Sequence, residues 1–429
     1  MTRFLRMAVP GPGLALVLSS MLLGAGTSDQ PATGGQFAEG VTDRQIVVGM
    51  SAPFKGASRS LGIELYRGSM AYLSEVNRAG GIHGRTIELK AYNDGYQPDQ
   101  AIKNTLKLMQ EDKVFLLFDY VGTPTVTRVL PLLKKYDKLH FRLFFPFTGA
   151  QPQREPPYDR LAVNLRASYR QETAGLVDNF LAIGRSRIAV FYQADAYGRS
   201  GWVGVREALA SHNLKIVGEA TYTRGTKYTE SLDRQVAMLQ EVKPDAIISV
   251  GAYAACAAFI RDARKAGLTV PIANVSFVGS ESMLELLVAA NKADGREYTG
   301  NLVNSQVVPS YENPNVPVVK EYLALMDKHQ PSTPAGLADA DYKPLRYSFV
   351  SLEGFLNAKL LVEVLKRMGA HPERAKIADT VAGIEGFELG MGRPISFTAQ
   401  RNQGSDAIYY TTVEDGRFVP IRDWKAWRK

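Results

Sequence analysis

One cysteine, Cys256, stands in 429 residues, so no internal disulfide is available and stability has to come from packing. It lies among alanines in "AYAACAAFIRDARKAG" and reads as a small buried hydrophobe with no partner for a catalytic dyad. Histidine is scarce too: His83, His140, His212, His329 and His371 stand apart, with no HExxH and no i,i+4 pair, so no metal site is expected. GxSxG is missing, which weakens a serine-hydrolase reading. No pair of carboxylates can be placed for acid/base work, so the expectation is a protein that is not an enzyme and needs no cofactor. Long apolar runs are absent apart from Leu14–Leu23, which is shorter than the roughly 20 residues a membrane span needs. Arg3 and Arg6 precede that run and Gly24, Ala25 and Gly26 follow it, the order of a secretory signal over residues 1–26. A lipid anchor would need a cysteine just after the run, so a soluble exported product is expected. The formal charge of +8 is scattered. Its densest group, "RDWKAWRK" at residues 422–429, is expected to pack Trp424 and Trp427 back on the protein rather than to bind nucleic acid.

What is present is alternation. "QIVVGMS" (45–51), "RTIELKAY" (85–92), "KVFLLF" (113–118) and "HFRLFF" (140–145) read as strands, with amphipathic helices between them. Tyr66, Met70, Leu73 and Val76 mark one helix face; the glycines of "AGGIHGRTIELKAYNDGYQP" then end that helix and turn into a strand, rather than forming a phosphate loop. Pro98 opens the next helix. Another starts at Pro124, and Pro131 inside it predicts a kink or an early end. The alternation restarts near Tyr169, with helices over 170–183, 199–212, 228–241 and 253–266 and strands over 187–192, 215–222, 245–250 and 271–278. A further helix is expected over about Ser351–Met368, and "AIYYTTVEDGRFVPI" reads as a hairpin turning at Asp415-Gly416. Two series of βα units predict an α/β protein of two doubly wound parallel-sheet domains, whose ligand site lies beyond the carboxyl ends of the strands.

"DRQIVVGMSAPFKGASRSLGIELYRGSMAYLSEVNRAGGIHGRTIELKAYNDGYQPDQAIKNTLKLMQEDKVFLLFDYVGTPT" resembles the first lobe of the branched-chain amino-acid type of periplasmic binding protein, the solute-binding component of ATP-binding-cassette importers. The resemblance continues through "FFPFTGAQ", "RIAVFYQADAYGRSGWVGVREAL", "PDAIISVGAY" and "SLEGFLNAKLLVEVL". It implies the type 1 periplasmic binding fold, with two discontinuous lobes, residues 43–164 plus 307–392 and 165–306 plus 393–429. Three crossovers near Asn164–Arg166, Ser305–Val308 and Met391–Pro394 would join them and close as a hinge.

The resemblance also implies a site. Gly122 and Thr123 would hold a ligand carboxylate at the start of a helix, where free amides favour an anion; the alternative is that Thr123 merely caps that helix. Thr148 and Gly149 would join them, or form a plain turn. Tyr197 and Tyr253 would line the cleft, and Leu61 would supply a wall unless it is helix core. Ser276 falls where amino-acid binders place a glutamate for the ammonium, so a simple amino acid is disfavoured unless Asp195 or Glu281 substitutes. The implied partners are a small amino-acid-like, carboxylate or amide ligand and a membrane permease, with the protein a monomer. A sensory module of the same fold, reporting to a receptor, is the other reading.

Overall fold

The computed structural model describes residues 37–427; the expected signal, residues 1–26, and the last two residues of the basic tail lie outside the described residues. Among the described residues, no helix is long and apolar enough to cross a membrane.

In the first lobe, β1 (Gln45–Ala52) lies in parallel between β2 (Thr86–Asn93) and β3 (Leu116–Phe118), and β4 (Leu143–Phe144) and β5 (Ala162–Val163) extend the sheet in the order β2-β1-β3-β4-β5. Helix α1 (Arg59–Arg78) crosses α10 (Phe349–Arg367) and touches α9 (Pro317–His329), while α2 (Pro98–Gln110) packs with α3 (Thr123–Lys135). The predicted stripe of α1 is only part of its buried surface: Leu73 is buried, but so are Leu61, Leu65 and Ala71, because α10 covers a second side. That crossing depends on glycine. A Cβ on Gly68 would stand 1.8 Å from the Ser351 carbonyl oxygen, and one on Gly354 2.1 Å from that of Leu65.

After α1, Gly80 and Gly81 take φ of +99° and +74°, and Ile82 bridges Arg85, so the glycine cluster is a turn. β1 and β2 match the expected strands to within a residue, whereas β3 and β4 are shorter than the sequence suggests. Lys113 and His140 have φ of 49° and 56°, which breaks the extended run before β3 and β4. Helix α3 continues through Pro131, because Val126, Val129, Leu130 and Leu133 bury beside it and outweigh one missing hydrogen bond.

The second lobe carries a seven-stranded sheet in the order β12-β11-β10-β9-β8-β6-β7. β6 (Ile188–Gln193), β7 (Glu219–Tyr222), β8 (Ala246–Val250), β9 (Ile272–Asn274) and β10 (Leu302–Gln306) are parallel; β11 (Tyr409–Glu414) and β12 (Arg417–Pro420) form an antiparallel hairpin on the β10 edge. Asp415 and Gly416 turn that hairpin with φ of 49° and 70°. Helices α4 (Tyr169–Ala182), α5 (Ala196–Ser211), α6 (Asp233–Glu241), α7 (Tyr253–Lys265) and α8 (Ser280–Asp294) flank this sheet. Residues 271–278 give only a three-residue strand followed by a tight turn over Ser276–Val278. Trp424 packs edge-on against Phe180 and Tyr410, and the Trp427 indole donates to Thr412.

The chain leaves the first sheet after Val163 and returns to that lobe between β10 and α9. The last passage lies later than Met391–Pro394. Phe387 pairs with Ile395, the Phe397 amide donates to Ile384, and the Asn402 side chain bonds the carbonyls of Gln153, Asp159 and Ala162, so the chain stays with the first lobe until about residue 402 and joins the second sheet at Tyr409.

Candidate ligand site between the lobes

Each five-strand parallel set has its central strand pair, β1/β3 or β6/β8, at the point where the strand order reverses, and the loops beyond the carboxyl ends there face one another across the seam. From the first lobe comes the turn after β3. Gly122, with φ of 99°, donates its N–H to the Phe147 carbonyl and lets the Tyr96 ring approach to where a Cβ would be 2.0 Å away. Thr123 does not cap α3. Its hydroxyl lies 2.6 Å from that of Thr148, and both are buried. This contact uses one of the pair's two hydroxyl protons, leaving the other for an oxygen acceptor. Gly149 accepts from the Tyr169 amide and makes room for that ring, so both candidate glycines admit tyrosines.

From the second lobe come Tyr197 and the turn holding Ser276 and Phe277. The Tyr197 ring is fully buried, 5.3 Å from Tyr169 and 4.6 Å from Phe277, and its hydroxyl donates to the Gly251 carbonyl at 3.3 Å. Phe277 also meets Phe147 at 5.1 Å and Tyr96 at 6.1 Å across the seam. Ser276 is held by charge. Its amide and hydroxyl donate to Glu172 at 2.8 and 3.0 Å, and its oxygen accepts from Arg166.

Arg166, on the passage between the lobes, was not foreseen as a site residue. Its guanidinium bonds Glu172 at 3.2 Å and Glu353 at 3.3 Å and lies over the rings of Phe147 and Tyr169. Burial alone would lower its pKa, but Glu353 and Glu172 outweigh that and keep it charged. Glu353 is itself pushed up to about 7 by burial, with Arg166 opposing.

Leu61 and Tyr253 lie together beside this cluster. Leu61 is buried and abuts Gly279, the residue that follows the Ser276–Val278 turn, and Tyr253 is half-buried with its hydroxyl 3.5 Å from the Ser60 amide. Asp195 is committed, and Glu281 is committed through one oxygen only, its Oε2 being buried without a hydrogen-bond partner among the described residues. Asp195 caps α5 through the Tyr197 amide and pairs with Arg224, and Glu281 accepts from the Phe349 amide in the first lobe. With the Ser60–Ser282 hydroxyl contact at 2.6 Å, the Glu281 bond ties the lobes in a closed arrangement. A pocket of about 270 Å³, lined by Thr123, Gln151, Arg170, Ala196, Arg199 and Val203 among others, shares Thr123 with the buried cluster.

A profile of the family described as periplasmic binding protein matches residues 45–417. The chain belongs to the periplasmic binding proteins. Its relatives are binding proteins rather than enzymes, several of them named as leucine/isoleucine/valine-binding proteins. An amino acid binding protein of Pseudomonas aeruginosa is 26% identical over 227 residues, covering 52% of this chain and 58% of that one. The chain therefore matches little more than half of that relative's length. A possible leucine/isoleucine/valine-binding protein from Rhodopirellula baltica SH 1 superposes with a TM-score of 0.78 at 28% identity, over 89% of this chain and 97% of that one. A branched chain amino acid ABC transporter from Thermus thermophilus with bound valine has a TM-score of 0.76 at 15% identity, over 89% and 97% of the two chains, and shares the fold. In this periplasmic binding protein the hydroxyls come from the first lobe and the buried positive charge from the passage between lobes.

Proposed function

We propose that this binding protein is the extracytoplasmic solute-binding component of an ATP-binding-cassette importer, exported by a cleaved signal and acting as a monomer. It captures a small carboxylate- or amide-bearing ligand by closing two lobes about the passages at residues 164–168, 307–316 and 402–408. The observation that carries this reading is the buried Thr123–Thr148 hydroxyl pair at a switch point, next to Phe147, whose ring meets Phe277 of the other lobe. Thr123→Val removes one hydroxyl at nearly constant volume. Losing a hydrogen bond to a charged acceptor costs roughly 1.5–3 kcal/mol, so the dissociation constant of a ligand found by thermal-shift screening should rise about ten- to a hundredfold in calorimetric titration. A strain lacking the gene should lose uptake of that ligand, and the Thr123→Val gene should restore it only in part. Normal uptake with a lost signalling response would favour the sensory reading instead.

A further inference from the structure

The rings at the seam and the charge beside them narrow the ligand class. Tyr96 and Phe147 of the first lobe and Tyr197 and Phe277 of the second are each no more than 2% exposed, and the contacts of Phe277 with Tyr96 and Phe147 cross the seam. Any opening of the lobes exposes this box of rings to water, and a ligand that closes it again must replace ring contacts with its own. Phe277 fills the box in the closed form. Because it rides on the second lobe, it withdraws when the lobes part and can reclose over a flat guest.

Two guanidinium groups border the box, and the carboxylates beside them are already paired with them. Arg166 lies 5.0 Å from the Phe147 ring centroid and 5.7 Å from that of Tyr169, and Arg224 lies 5.6 Å from that of Tyr96. The nearby carboxylates are taken: Glu172 by Arg166, Ser276 and Ser305, Glu353 by Arg166, and Asp195 by Arg224, Gln193 and the Tyr197 amide. Arg166 Nε is buried without a hydrogen-bond partner among the described residues. A buried donor on a cation gains by meeting an anionic or carbonyl oxygen, whereas an ammonium set beside Arg166 would meet a like charge whose two carboxylates are already paired with it; Glu281 Oε2, buried without a hydrogen-bond partner among the described residues, belongs to the start of α8 beside Phe349 rather than to the rings. An aliphatic amino acid fits poorly on both counts, lacking a ring and bringing the wrong charge.

We infer that the ligand is an aromatic carboxylic acid without an ammonium group, its ring held between Phe277 and the first-lobe rings and its oxygens shared between Arg166 and the Thr123–Thr148 pair. This deepens the solute-binding reading and rests on it.

Four acids test the two features separately: 3-phenylpropionate, L-phenylalanine, 4-methylpentanoate and L-leucine differ only in ring and ammonium. Calorimetric titration of the mature protein should give 3-phenylpropionate a dissociation constant at least about tenfold below that of L-phenylalanine and about fivefold below that of 4-methylpentanoate. Arg166→Gln should weaken 3-phenylpropionate about tenfold or more. Should that variant not fold, Phe147→Leu leaves every charge in place and should still weaken 3-phenylpropionate more than 4-methylpentanoate. Equal binding of 3-phenylpropionate and L-phenylalanine overturns the ammonium half, and tighter binding of L-leucine or 4-methylpentanoate overturns the ring half; either result leaves the solute-binding reading standing if Thr123→Val weakens the acid that does bind. No binding of any of the four at millimolar concentration overturns the inference, and the solute-binding reading falls with it only if a broad library of amino acids, amides and organic acids also gives no thermal shift.

Discussion

In the first lobe the sheet runs β2-β1-β3-β4-β5, and in the second the parallel strands run β7-β6-β8-β9-β10, the same order on different sequences. The two differ in how they reach the seam. In the first lobe β3, β4 and β5 have only three, two and two residues, and the chain beyond them bends through left-handed positions at Asp119, Gly122 and Phe145, with φ of 52°, 99° and 51°. Asn357 on α10 donates to Asp119 and toward the Phe145 carbonyl, so one buried side chain ties both bent loops. In the second lobe β6 and β8 have six and five residues and lead into α5 and α7, and the sheet is widened by a hairpin from the C-terminus. The comparison teaches a division of work. Strained, tied loops set the hydroxyls in the first lobe, while the second brings Tyr197 on the first turn of α5 and Phe277 on the tight turn after β9.

The sharpest way to break this comparison is through the two helix crossings. Gly68→Ala drives a Cβ against the backbone of α10, which cannot yield, and should cost roughly 2–3 kcal/mol in chemical denaturation. Gly204→Ala, at the α4–α5 crossing of the second lobe, is crowded most by the Thr173 hydroxyl 2.3 Å away, a side chain able to rotate, with backbone no nearer than the Arg170 Cα at 3.3 Å, and should cost about 1 kcal/mol. Equal losses would show that the lobes are packed alike.

Asn357→Ala should come between these. It leaves the buried Asp119 short of a partner, a loss of about 1–3 kcal/mol, and it frees two loops next to the site, so ligand affinity should fall along with stability. A stability loss without any change in affinity would separate the loops from the site.

The smallest effect concerns pH. Burial pushes the Asp94 carboxyl up to about 7, against the opposing bonds from the Tyr96 amide and Ser51. The folded protein therefore holds a proton that the unfolded chain releases near its ordinary, lower carboxyl value, and stability should decline as pH rises through about 7. Asp94→Asn should make the melting temperature less dependent on pH between about 5 and 8. Part of the slope should remain, because burial also raises Glu281 and Glu353 to about 7. An unchanged slope would place the titration elsewhere.

The sequence by itself determined the parts whose cause is local. Alternating apolar periods gave the βα series, Gly80 and Gly81 gave a turn because they need positive φ, and Asp415-Gly416 gave the hairpin for the same reason. Thr123, Thr148 and Tyr197 were candidates through the family resemblance alone, since locally each could equally be a cap, a turn or a buried ring. The lengths of β3 and β4, the place of the last crossing and the fate of Pro131 were not legible, since each depends on what packs beside the segment. Tyr96, Phe147, Arg166 and Phe277 stand 181 positions apart at their extremes and carry no shared spacing. Only the tertiary structure decided that they meet, because closing two separately folded lobes is what makes a ring on one and a ring on the other bury the same surface, and what sets the Arg166 guanidinium beside them.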